Sequence, residues 1–262
     1  MKNRVFVFVM LAAVMAGLVS CNSNKQPTRY RVTLEALSGA EKTVSLVAET
    51  PVALWDDGLA LQEARIVSEG EDGGCAIVRT DNSNLSGIAH FVYPATAVAE
   101  AEQVVLDTLQ QFLPLGGGMV YYGETAADTS DNVVLKAVCG VARLCLTTTE
   151  RLAKVTISTN DSNGYMAGRF SVTNYPFPIL AAMEESARSV TVTGLEDIDF
   201  AQGAEVCFYV APSCYQTFVV VMTTPDGRSC TKTLKDGKEV MIERNSVCNI
   251  TLGTEALPLV FE

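Results

Sequence analysis

Histidine is almost missing from this chain of 262 residues, with His90 as its single representative. A Ser-His-Asp or Cys-His nucleophile would have to be built on that one side chain. It lies in Ile88-Ala89-His90-Phe91-Val92-Tyr93, where alternation with apolar neighbours turns it outward from a strand. Tryptophan is equally scarce: Trp55 stands alone, which leaves a glycan-binding surface without its usual aromatic cluster. No CxxC pair occurs, so the Cys/His spacing of a zinc site is absent as well. Gly116-Gly117-Gly118 is followed by Met119-Val120-Tyr121-Tyr122 and not by Lys-Ser/Thr, so it reads as a loop before a strand and not as a phosphate cradle. Asp161 and Asn163 precede Gly164, but the remaining acidic positions of a calcium loop are missing, and a hairpin turn accounts for them. Glu69, Glu71 and Asp72 read as a solvated loop, and nothing in the sequence pairs Glu184 or Glu185 with another carboxylate. Positive charge is also short, with 19 Lys and Arg against 30 Asp and Glu, a net charge of −11. Such a surface repels phosphate backbones and disfavours nucleic acid as a partner. No catalytic residue, cofactor or metal site is expected.

Long apolar runs are confined to the start. Lys2 and Arg4 precede the uncharged stretch Val5–Val19, which is short of the roughly 20 residues that span a bilayer but suits the middle of a secretory signal. It ends in Leu18-Val19-Ser20-Cys21, which looks like the bacterial lipobox, whose cysteine is acylated and becomes the new N-terminus. On that resemblance residues 1–21 are a lipoprotein signal peptide, Cys21 is the lipid attachment site, and 22–29 form a tether. The alternative is a plain secretory signal with an incidental cysteine. Several acyl chains anchor durably where one binds only marginally. Beyond Cys21 the chain has seven cysteines, Cys75, Cys139, Cys145, Cys207, Cys214, Cys230 and Cys248, an odd number that cannot pair completely. Most read as small buried hydrophobes, with one or two disulfides as the remainder.

The prevailing rhythm is a period of two. Tyr30, Val32, Leu34 and Ala36 share one face of Tyr30–Leu37, and alternation resumes in Thr43–Ala48 after Ser38-Gly39-Ala40. Short runs rich in valine, threonine and tyrosine recur at Cys75–Arg79, Ala89–Tyr93, Met119–Tyr122, Val133–Leu146, Ala153–Ser158 and Arg169–Val172. They continue at Ser189–Val192, Glu205–Val210, Phe218–Thr223, Ser229–Leu234, Glu239–Ile242 and Ser246–Leu252. Turn residues at Asn160–Gly164, Pro225-Asp226-Gly227 and Asp236-Gly237 separate several of them. In Ala97–Phe112 the spacing of Val98, Ala101, Val105, Leu109 and Phe112 suits a helix, while Val104-Val105-Leu106 suits a strand. The chain is expected to be mostly β, a sandwich or barrel. A small polar stretch, Ala126–Asn132, would divide it into domains at 30–130 and 131–262, with one continuous domain as the alternative.

The order of several motifs resembles that of fimbrillin-like proteins, the subunits and lipoproteins of bacterial type V pili. These are the strand Val32–Ala36, Lys42-Thr43, Trp55-Asp56-Asp57-Gly58, the strand end Phe91-Val92-Tyr93-Pro94-Ala95, and Leu135–Thr159 with its Lys-Val-x-Ile strand. The pieces GYMAGRFSV, EVCFYVAP and FVVVMTTPDGRSCTKTL extend the resemblance through the second half. Asp-Gly replaces Gly-Asp in the turn, and Leu113–Met119 departs from the family's Leu-Pro…Gln-Tyr strand. The alignment there favours a strand at Val104–Asp107. The resemblance implies two tandem β-sandwich domains of transthyretin-like, Greek-key type, and a lipid-anchored precursor at the outer membrane or cell surface. It also implies assembly into a fimbria after proteolytic removal of the N-terminal strand Tyr30–Leu37. The partners would be other pilus subunits, joined by β-strand addition, and the membrane, through the lipidated N-terminus. Lys42 is the expected cut, with Arg29 and Arg31 as alternatives. The tail Leu257–Glu262 is either a donor strand or the closing strand of its own sheet. The second functional reading is a surface lipoprotein that never polymerises and binds a glycan or protein of host or bacterial surfaces.

Overall fold

The computed structural model describes residues 28–39, 46–69, 75–81, 85–128, 132–174, 176–234, 239–253 and 258–262. It is nearly all β, arranged in several sheets. Seven strands close into a barrel: β1 (Thr28–Leu34), β2 (Pro51–Trp55), β3 (Gln62–Glu69), β4 (Cys75–Thr80), β5 (Ile88–Tyr93), β8 (Tyr121–Ala126) and β9 (Asn132–Ala137). Around the ring the order is β1-β4-β3-β2-β5-β8-β9, and β1 closes it by pairing antiparallel with β4 and parallel with β9. Closure removes open sheet edges, and alternation sends Tyr30, Val32, Ala64, Ile66, Val78, Ala89 and Phe91 into the interior. A short 3-10 turn at Ala95–Ala97 packs on the outside against β2 and β5.

The second half is built around β10 (Gly140–Leu146), which pairs antiparallel with β15 (Ala204–Val210) and parallel with β20 (Val247–Leu252). Five strands form its largest sheet: β18 (Ser229–Leu234), β17 (Phe218–Thr223), β11 (Lys154–Ser158), β14 (Ser189–Thr193) and β7 (Leu109–Gln111), in that order. A third sheet orders β13 (Pro178–Ala182), β12 (Gly168–Asn174) and β6 (Gln103–Leu106), and β16 (Ser213–Tyr215) pairs with β19 (Val240–Ile242). The strict alternation of Phe218-Val219-Val220-Val221-Met222-Thr223 puts Phe218, Val220 and Met222 in the core; Val155 and Ile157 of β11 pair with Met222 and Val220, and Val192 and Val190 of β14 pair with β11 in turn.

The ambiguous segment after Ala97 is extended and not helical. Val104 and Leu106 are buried on one side of β6, while Leu109, which a helix would have turned inward, is 60% exposed. A division at residue 130 does not follow the sheets. β9 lies after it yet completes the barrel, and β6 and β7 lie before it yet pair with β12 and β14. The strand read at Thr43–Ala48 falls largely outside the described residues, and its last three residues, 46–48, are not in a strand. Six cysteines, Cys139, Cys145, Cys207, Cys214, Cys230 and Cys248, are free thiols; three are buried and only Cys214 is exposed. Burial pushes Cys139 and Cys207 each up to about 11, which leaves these thiols unreactive at neutral pH.

Candidate assembly site

The slot that β1 occupies is the most distinctive feature of the barrel. Thr28–Thr33 run against Thr80–Cys75 on one side, and Arg31–Leu34 run beside Asn132–Leu135 on the other. Alternation divides the strand's side chains cleanly. Tyr30 and Val32 are fully buried, whereas Arg29 and Arg31 stand exposed on the outer face. The Tyr30 ring meets Phe91 edge-on at 4.9 Å, and its hydroxyl donates to the Ala127 carbonyl at 2.9 Å. Burial raises the Tyr30 phenol, with Asp128 and Asp56 adding to the effect, so it stays a neutral donor.

Past Leu34 the chain is fastened to the second half. The Glu35 amide donates to Leu135 O at 2.8 Å. The Glu35 carboxylate accepts both Nη1 and Nη2 of Arg244, the latter at 2.9 Å, together with the Ala137 amide at 3.1 Å. Asn245 Nδ2 donates to Ala36 O at 2.8 Å, and the Ser38 amide donates to Asn245 O at 3.1 Å. Arg244 and Asn245 form the turn between β19 and β20, and Asn245 is left-handed at φ 57°. Neither Glu35 nor Arg244 announces itself in the sequence, because the pair is separated by 209 residues.

Of the residues expected to matter for processing, Arg29 and Arg31 lie within β1, opposite Arg79 and Ile77. Lys42 and Cys21 fall outside the described residues. At the other end of the chain, Pro258–Glu262 runs beside β18. Ser229 and Glu262 exchange backbone hydrogen bonds of 2.8 and 3.0 Å, and Leu259 and Phe261 pack half-buried against the core. Val260 faces outward, 63% exposed.

The polar residues weighed as chemistry have structural employment. His90 does not simply face solvent. Its ring stacks on Trp55 at 5.3 Å, and Nδ1 lies 2.7 Å from the Tyr122 hydroxyl, which also donates to Glu124 at 3.1 Å. Desolvation lowers the His90 pKa against the opposing pull of Glu124, Asp57, Glu102 and Asp56. Asp56 accepts from the Gly58 and Ser86 amides and Asp57 from the Ile88 amide, so the Trp-Asp-Asp-Gly turn pins the approach to β5. Asp161 accepts the Gln216 amide at 2.7 Å and so ties one turn to another. Desolvation raises its pKa, but the donors at Gln216, Thr159 and Thr217 outweigh that and lower it. In the triple-glycine loop, a Cβ on Gly118 would lie 2.3 Å from the Tyr209 ring, so this glycine permits close packing. Among the described residues no group of three His, Cys, Asp or Glu side chains is placed to hold a metal ion. No helix of the described residues is long and apolar enough to cross a membrane.

No family profile and no curated protein sequence matches this chain. Solved structures do. A candidate cell adhesion protein from Bacteroides ovatus superposes with a TM-score of 0.55 at 10% identity, covering 90% of this chain and 95% of its own. A fimbrial assembly protein from Parabacteroides distasonis matches at 0.47 and 9% identity, over 90% and 99% of the two chains. The tip fimbrial protein Mfa3 from Porphyromonas gingivalis matches at 0.38 and 13% identity, over 90% and 99%. The first of these shares its fold with this chain over 90% of the chain's length, and that fold agrees with the one implied by the resemblance read from the motifs.

Proposed function

We propose that this protein is a non-enzymatic, lipid-anchored component of a fimbria or a related adhesive structure at the cell surface, assembled by strand exchange. The observation that carries the reading is β1 itself: the barrel's first strand is paired on both sides, so its removal would open two ladders and a groove lined by Phe91 and Val78. Main-chain hydrogen bonds then complete the sheet with a strand from a neighbour, and alternate side chains refill the interior. The fold shared with the Bacteroides ovatus protein and the order of the family motifs support the same reading. The barrel and the sheets around β10 are, in this reading, two tandem sandwich-like units of the transthyretin sort that exchange strands across residue 130, with Cys21 carrying the lipid at the outer membrane.

Lys42 is the favoured cut. Arg29 and Arg31 project exposed side chains, but their backbone is engaged in the β1 ladders, and a protease needs an extended, unpaired backbone to bind. A second reading, a surface lipoprotein that never polymerises, draws on the tail: Leu259, Phe261 and the Ser229–Glu262 bonds seat it on its own β18.

The test is limiting trypsin on purified protein starting at Asn22, followed by unboiled gel electrophoresis and N-terminal sequencing. A cut after Lys42 with a ladder that collapses on boiling supports strand exchange. A stable monomer after that cut overturns polymerisation and leaves the second reading.

A further inference from the structure

The Glu35–Arg244 pair places a demand on whatever replaces β1. Arg244 has supports of its own besides the segment that follows β1. Its Nη1 donates to Ala137 O at 3.0 Å, and its guanidinium lies 4.8 Å from the Phe177 ring centroid. The Asn245 amide, next in the chain, donates to Cys139 O at 2.9 Å and fixes the turn. Once β1 leaves, these supports stay. What departs is the carboxylate that accepted both Arg244 nitrogens and the Ala137 amide. With β1 in place the Arg244 side chain is only 19% exposed and Glu35 is its ion-pair partner, so loss of β1 takes the counter-charge from a guanidinium set in a largely enclosed site. Breaking such a pair from one side is much costlier than never forming it. A planar, bidentate donor of this kind also discriminates sharply for carboxylate.

The geometry points to Arg244 as the selector of the incoming strand. We propose that the slot accepts a strand of a second copy in which three alternating apolar residues are followed at once by a carboxylate. β1 itself shows the order, with Tyr30, Val32 and Leu34 on one face and then Glu35. Residues 257–262 repeat it as Leu257, Leu259 and Phe261 and then Glu262. In this register Pro258 takes the place of Arg31 and forfeits one ladder hydrogen bond, which the carboxylate contact has to offset. The proposal rests on strand exchange, and it adds the residue that chooses the partner.

The experiment uses the full chain from Asn22 with a rare-cutting protease site inserted between Ala40 and Glu41. The cut protein is incubated with fluorescent peptides at a urea concentration just below its unfolding midpoint. Two peptides are compared, residues 28–38 and residues 255–262 with an amidated C-terminus, each also with its glutamate replaced (Glu35→Gln, Glu262→Gln). Fluorescence anisotropy is expected to show each glutamate peptide binding about tenfold or more tightly than its glutamine partner. That preference should vanish in Arg244→Met and shrink in Arg244→Lys, which keeps the charge and loses the fork. Equal binding of glutamate and glutamine peptides overturns the selection by Arg244 while strand exchange stands. If no peptide of either kind is taken up, strand exchange falls and the selector with it.

Discussion

β1 and β20 occupy matching places near opposite ends of the described chain, and they are held very differently. Each runs parallel to one strand of the chain's middle, β1 to β9 and β20 to β10. β1, however, is flanked on both sides and sends fully buried Tyr30 and Val32 into the barrel. Among the described residues β20 has β10 as its one sheet neighbour, and it buries chiefly Ile250, at 8% exposure. A strand in the middle of a closed ring carries two ladders and part of a core, so its absence leaves a shaped vacancy. A strand at an edge leaves only a shorter sheet. This asymmetry marks the N-terminal end as the place where an exchanged strand gains most.

The comparison can be broken at its strongest point first. Tyr30→Ala should cost about 3–5 kcal/mol by removing a buried ring, and Ile250→Ala only about 2 kcal/mol, read as shifts in the urea midpoint. Equal losses would contradict the difference between the two strands. Next in size is Gln110→Leu in the second half. The Gln110 side chain behaves as a short strand against β15, since its Oε1 accepts the Tyr209 amide at 3.1 Å and its Nε2 donates to Tyr209 O at 2.8 Å. Leucine would leave both backbone groups buried and unpaired, a loss of about 1–3 kcal/mol in the same assay.

Acidity should separate the halves further. Because desolvation holds His90 below its ordinary 6.5, the unfolded chain binds that proton more readily than the folded one. Its contribution is fully present above pH 6.5 and is lost as pH falls from there towards the folded value. Thermal melts between pH 7.5 and 5.5 should show the barrel weakening, and His90→Gln should flatten that slope. The smallest effect lies in the second half. Hydrogen bonds from the Thr224 hydroxyl first, and from Arg228, lower the exposed Asp226 carboxyl to about 2. Its contribution is present above 3.8 and is lost as pH falls through about 2, which carboxyl NMR titration can follow residue by residue.

How far the sequence reveals this fold depends on which faces are buried. Phe218–Thr223 has one face in the core and the other half-buried, and its alternation is legible. Pro51–Trp55 is not, because Val52, Ala53, Leu54 and Trp55 are all buried, some inside the barrel and the others beneath the turn at Ala95–Ala97. The run Val133–Leu146 reads as one strand but is two, broken where Gly140 approaches so closely that a Cβ would lie 2.2 Å from Glu243 O. At the candidate site, the inward pattern of Tyr30 and Val32 is visible in the sequence. The second flank of β1 is not, since β9 begins about a hundred residues later. The Glu35–Arg244 pair is still further from local view, and only the three-dimensional fold brings it together.

The central claim is that β1 can be replaced. Native mass spectrometry of the protein after a cut between residues 38 and 46 tests it most directly. The account predicts monomers that retain the N-terminal fragment and oligomers that have lost one copy of it at each subunit junction. Oligomers that keep every fragment, or a cut protein that stays wholly monomeric with its fragment bound, would contradict it.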